Sequence, residues 1–201
     1  MKKTILSAAL VAVMGVVAFA PQSAKAADGT ITFNGLITAA SCTITGGGAA
    51  TGTGNISVTL PTVSATALTA AGSTAGDTPF SLILGGGANC TDGQTASLWI
   101  ETTQTPALDT TSGALKNQTG SAPAVEVRMV NPANNLPINL GVNGAYLNGA
   151  TVVASSNQPA ATITGNTATL NYVAQYLNPT TAGAVTAGTV ATYLTYSMVY
   201  N

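Results

Sequence analysis

The sequence predicts an all-β protein, a single sandwich of short strands preceded by an export signal. Three observations carry this. Runs rich in Thr, Val and Ile recur along the chain and are punctuated by Gly, Asn and Pro, the composition of strands joined by turns. Apolar and polar residues alternate with period two near both ends, so successive side chains of an extended strand face opposite sides. About 175 residues follow the export signal, enough for one domain with a real core and short of two.

Met1 to Ala26 reads as a signal peptide. Lys2 and Lys3 form a positive start, Ile5 to Ala20 an apolar run, and Ala24-Lys25-Ala26 a small-x-small cleavage site. A membrane anchor would need about 20 apolar residues, and Pro21 and Gln22 close this run too early. No second apolar run of spanning length follows, so the mature chain is read as exported and soluble. Directly after the signal, Ile31, Phe33, Gly35 and Ile37 face one side while Thr30, Thr32 and Asn34 face the other. On pattern alone this stretch is either an extended arm or a hairpin turning at Asn34-Gly35.

Strands are expected at Asn55 to Leu60, Pro79 to Leu84, Ala96 to Thr102, Ala124 to Val130, Thr167 to Leu177 and Val190 to Tyr200. Tight turns are expected at Asn143-Gly144 and Asn148-Gly149. Gly46 to Gly54, Ala65 to Gly76 and Thr180 to Gly188 read as Gly/Ala/Thr-rich connections, with a short helix over Ala65 to Ala75. Trp99, between Leu98 and Ile100, is read as a core residue. In the last stretch Leu194, Tyr196, Met198 and Tyr200 share one face of a strand that has no partner following it in the chain. Such an edge invites pairing with another chain.

Cleavage after Ala26 removes three of the five basic residues, leaving Lys116 and Arg128 against six acids, a formal charge of −4. Without a basic patch, nucleic acid is excluded as a partner. Charged residues are 5% of the chain, far below the usual fraction of about 25%, so Thr, Ser, Asn and Gln must supply the surface polarity. Cys42 and Cys90 are an isolated pair in an exported chain and are read as one disulfide, worth roughly 4 kcal/mol in the chain-entropy model. The chain has no histidine, which leaves zinc short of ligands and a catalytic triad without its base. No nucleophile elbow or phosphate-cradling loop is present, and Glu101 with Asp109 is a poor glycosidase pair. No enzyme, metal or cofactor is therefore expected. An outer-membrane barrel would show aromatic girdles on many strands, whereas aromatics are 5% here.

Several motifs, in order, resemble the type 1 fimbrial subunits of chaperone-usher pili. Ile31-Thr-Phe-Asn-Gly-Leu-Ile-Thr-Ala-Ala-Ser-Cys42 resembles their N-terminal arm leading into the strand with the first cysteine. Phe80-Ser-Leu-Ile-Leu before Cys90 is similar to the strand leading to the second. Tyr172-Val-Ala-Gln-Tyr176 resembles their aromatic-x-Ala-x-Tyr strand, with Gln175 where Arg is common. Gly188, fourteenth from the C-terminus, and the penultimate Tyr200 resemble the signature read by pilus chaperones. The Gly/Ala-rich insertion at Gly46 to Gly54 departs from the family pattern.

The resemblance implies an incomplete immunoglobulin-like sandwich completed by a donor strand from a neighbouring subunit. Residues 1–26 would be the signal, 27–38 the donor arm and 39–201 the pilin domain. Ile31, Phe33 and Ile37 would plug the neighbour's groove, with Gly35 allowing close backbone approach. Gly188, Val190, Leu194, Tyr196, Met198, Tyr200 and Asn201 would border the groove and be held by the chaperone. The implied partners are other pilin subunits, a periplasmic chaperone, an outer-membrane usher and, through the assembled pilus, a host receptor; the implied place is a surface fimbrium reached through the periplasm. A shaft or adaptor subunit is favoured over a tip adhesin, which in this family carries an additional N-terminal binding domain in place of the arm; a minor or tip adaptor that binds a receptor directly is the alternative, and no residue encodes major versus minor. In a bacterial source the sequons at Asn55-Ile-Ser57 and Asn117-Gln-Thr119 mean little.

Overall fold

A computed structural model describes residues 42–85, 90–143, 146–148, 151–154, 156–179 and 185–201. The signal peptide and the arm residues Ile31, Phe33, Gly35 and Ile37 lie outside the described residues. The strands are β1 (Thr43–Gly48), β2 (Ala50–Thr51), β3 (Ser57–Val58), β4 (Thr74–Gly85), β5 (Thr95–Ile100), β6 (Leu108–Asp109) and β7 (Ala114–Lys116). They continue with β8 (Glu126–Asn131), β9 (Leu136–Pro137), β10 (Tyr146–Asn148), β11 (Thr151–Ala154), β12 (Ala160–Thr162), β13 (Ala168–Leu177) and β14 (Tyr196–Tyr200). A large sheet runs β1-β4-β13-β8-β7-β6, with β9 also on β8, and a smaller sheet runs β12-β5-β14. The fold is all-β, as expected.

Alternation builds the core between these sheets. On β4, Phe80, Leu82 and Leu84 are buried, and on β13 Leu170, Tyr172 and Ala174 meet them. The small sheet contributes Ala96, Leu98 and Ile100. Phe80 and Tyr172 stack with ring centroids 5.3 Å apart. Pro79 sits within β4 just past the β1–β4 ladder, which closes at Gly48 and Phe80, so its missing N–H costs that ladder nothing. Cys42 and Cys90 form the expected disulfide, with Cα atoms 4.6 Å apart. It lies just beyond the Thr43–Gly85 end of the same ladder.

Several sequence expectations need correction. Gly46, Gly47 and Gly48 are the second half of β1, opposite Leu82, Ser81 and Phe80, and not a connecting loop. A Cβ on Gly46 would fall 2.7 Å from the backbone of Ala50, so the missing side chain lets β1 fold back closely onto β2. The expected helix at Ala65 to Ala75 shrinks to one 3-10 turn, Ala65–Leu68, capped by Ser64. Its Thr and Ser residues favour such local bonding over a longer helix. Trp99 is 42% exposed. Leu98 and Ile100 take the inward positions of β5, and alternation then forces the residue between them outward. Regular pairing in the last stretch covers Tyr196–Tyr200, shorter than expected. Asn148, expected in a tight turn with Gly149, is instead the last residue of β10 and pairs with Thr151 of β11; Gly149 and Gly144 lie outside the described residues.

Candidate strand-acceptor groove

β14 has β5 on one side, and among the described residues no strand pairs with its other edge. Hydrogen bonds fix which residues face which way. Thr95 and Asn201 exchange both backbone bonds, and Glu101 N donates to the Thr195 carbonyl at 2.9 Å. Because antiparallel bonded pairs alternate, odd residues direct their N–H and C=O towards β5. The even residues Tyr196, Met198 and Tyr200 direct theirs to the open edge. The same parity extends upstream: Thr189 and Ala191 carbonyls accept from Ala122 N and Gln118 N, each at 2.9 Å.

Side chains obey the same rule. Val190, Leu194, Tyr196, Met198 and Tyr200 are half-buried and pack on the core. Across from them Ile56, Val58 and Leu60 alternate half-buried with the exposed Ser57 and Thr59. Between these banks lies a cavity of about 490 Å³, floored by Phe80, Leu82, Leu98, Leu115, Val127, Met129 and Ala174. No charged residue lines it. The banks run in opposite directions. Tyr196 reaches Gly54 at one end, whereas Val190 and Val63 share the small cluster around Leu68, Ala122 and Val125 at the other. A strand laid between them would be antiparallel to one bank and parallel to the other.

The structure therefore brings Val190, Leu194 and Tyr196 to the cavity, while Met198 and Tyr200 continue the same inward face of β14 beyond it and pack on the core. A main-chain oxygen of Asn201 is engaged by Thr95 N at 2.7 Å. Gly188 stands apart from the cavity lining and packs instead against Ser121 and Ala122. Sequence reasoning missed that Ile56, Val58 and Leu60 form the second bank, although their alternation was visible. It also missed Thr192, which lines the cavity with a buried hydroxyl lacking any hydrogen-bond partner. Burial pushes the Tyr196 and Tyr200 hydroxyls above the usual phenol range, and a bond from Cys42 N partly offsets this at Tyr200.

Away from the groove, Gln175 occupies the position where the resembling family often has Arg. Its Oε1 accepts from Arg128 Nε at 3.1 Å and also from Arg128 Nη2, while its Nε2 donates to Asp77 Oδ1 at 2.8 Å. The neutral amide thus links cation to anion. Among the described residues no cluster of acids, cysteines or histidines suits a metal.

The arrangement is an apolar slot with hydrogen-bonding edges, suited to holding an extended chain and lacking reactive groups. The family model described as "Type-1 fimbrial protein, A" matches residues 60–201. Major fimbrial subunit SMF-1 of Stenotrophomonas maltophilia (strain K279a) is 37% identical over 186 residues, covering 92% of this chain and 99% of that protein. The F17 fimbrial protein of Escherichia coli is 34% identical over 197 residues, covering 94% and 96%. Protein FimA of Bordetella pertussis is 33% identical over 145 residues, covering 70% and 98%.

Proposed function

This chain belongs to the type-1 fimbrial protein family and is a structural pilin subunit of a surface fimbrium, and from that premise we propose that it polymerises by lending residues 27–38 as a β-strand to the groove of a neighbouring subunit. The observation that carries this reading is the groove itself, with inward apolar side chains and outward-facing main-chain groups on the same even-numbered residues of β14. An extended peptide that satisfies those groups gains affinity from main-chain bonds and specificity from alternate side chains. Ile31, Phe33 and Ile37 supply the apolar set, at roughly 1.5 to 3 kcal/mol for each side chain fully buried.

An uncovered edge of this kind aggregates. A periplasmic chaperone therefore covers it first, an outer-membrane usher exchanges that cover for the next arm, and the finished fimbria presents its surface to a host receptor.

Phe33→Asp tests the reading, because a carboxylate carried into an uncharged slot opposes insertion strongly. The variant keeps its own groove, so chaperone-bound protein should accumulate normally while surface fimbriae are lost. Loss of the chaperone-bound form itself would instead support a hairpin at Asn34-Gly35 and overturn the donor arm.

A further inference from the structure

Two tyrosines on β14 bond main-chain groups on the far side of its open edge, Tyr196 at the end of the cavity and Tyr200 beyond it. The Tyr196 hydroxyl donates to the Gly54 carbonyl at 2.6 Å, and the Tyr200 hydroxyl accepts from the Cys42 amide at 3.2 Å. Four residues apart on one strand, they share a face and stand roughly 13 Å apart. Their targets lie on the same opposite bank, because Gly54 N donates to Ile44 O at 2.9 Å and so keeps the Gly54 segment beside the start of β1. No ladder joins β14 to that bank among the described residues. Main-chain pairing therefore does not set the spacing between the banks at this end.

We propose that Tyr196 and Tyr200 are positioning residues, struts that hold the banks of the groove at the separation an incoming strand requires. An inserted strand needs each neighbour about 4.8 Å away, so banks that drift together or apart lose one of its two edges. A phenol suits the task because its ring serves as apolar floor while its hydroxyl bonds a main-chain group at the far side. Holding that geometry in advance spares the incoming strand the cost of ordering it. Tyr200 has a second consequence. Cys42 is tethered to Cys90, and the chain continues from Cys42 into the N-terminal segment. The strut therefore ties the disulfide-bonded Cys42, directly before β1, to the end of β14.

The inference rests on the donor-strand reading, and its test separates the two. A synthetic peptide of residues 27–38 is titrated into the full subunit, the Tyr196→Phe and Tyr200→Phe variants, and Trp99→Phe, whose indole faces away from the core. Each lost hydroxyl should weaken peptide binding about fivefold, with Trp99→Phe within about twofold of the parent. Equal affinity in all four proteins overturns the struts. If the peptide fails to bind the parent protein, the donor reading falls, and hydrogen exchange decides the struts alone. Tyr200→Phe should then speed exchange of the Cys42 amide about tenfold with its disulfide intact, and an unchanged rate overturns the proposal. Peptide binding by Tyr196→Phe reads the second strut should Tyr200→Phe fail to fold.

Discussion

A Cβ on Gly188 would lie 2.5 Å from the amide nitrogen of Ala122 and 2.8 Å from its Cα. The contact is reciprocal, for a Cβ on Gly120 would lie 2.2 Å from the Thr189 carbonyl oxygen. Asn117 locks the crossing: its Oδ1 accepts from Ala191 N at 2.9 Å and its Nδ2 donates to Thr189 O at 3.1 Å. These bonds hold the odd residues of the last segment outward and so set the even ones into the groove.

Gly188→Ala should therefore destabilise the subunit by about 1 to 3 kcal/mol, the usual cost of forcing atoms into a filled site. Denaturant unfolding of the oxidised protein measures it. A stability within error of the parent would mean that the crossing yields easily, and that Gly188 matters only to a partner.

What was legible in the sequence is what alternation records. Phe80, Leu82 and Leu84 announce β4, and the even residues from Val190 to Tyr200 announce the groove edge. Pairing is not local, so Ile56, Val58 and Leu60 show a strand without showing that it faces Val190 to Tyr196 across a gap. Gly46 to Gly48 carry no side chains to alternate, and a strand made of them reads as a loop. Trp99 reads as core from the sequence, but Leu98 and Ile100 on either side of it already take the inward positions of β5. Gln175 was visible as a departure, while its reason, a bridge from Arg128 to Asp77, needs three strands in place.

Two neighbouring acids should give stability opposite dependences on pH. The Thr111 backbone N–H, and then Lys116 at 3.1 Å, hold the Asp109 carboxyl down at about 2 from an ordinary 3.8. Stability from Asp109 is thus fully present above its unfolded value and is lost as pH falls from about 4 towards 2. Burial pushes the Glu126 carboxyl up, against a bond from Ser112, so its ionisation costs stability as pH rises above its ordinary 4.5. Asp109→Asn should flatten the acid loss below pH 4, and Glu126→Gln should stabilise the protein at pH 7 but not at pH 4. Thermal melts across that range check both signs, and parallel curves for parent and variants would refute them.

The second bank offers the sharpest test of groove parity. Val58 is half-buried on the core, while Thr59 beside it is exposed. An arginine at position 58 has two options, each harmful to an incoming strand. Its guanidinium either sits in a slot whose lining holds no acid, a cost of several kcal/mol, or snorkels outward along the path that strand must take. Val58→Arg should thus lose at least about tenfold in affinity for a peptide of residues 27–38, and cells carrying it as their sole subunit should lack fimbriae. Thr59→Arg directs the same charge into solvent and should leave both readouts near the parent level. The reverse pattern, with Thr59→Arg blocking and Val58→Arg tolerated, would place the strand on the other face of this bank, and with it the whole register of the groove.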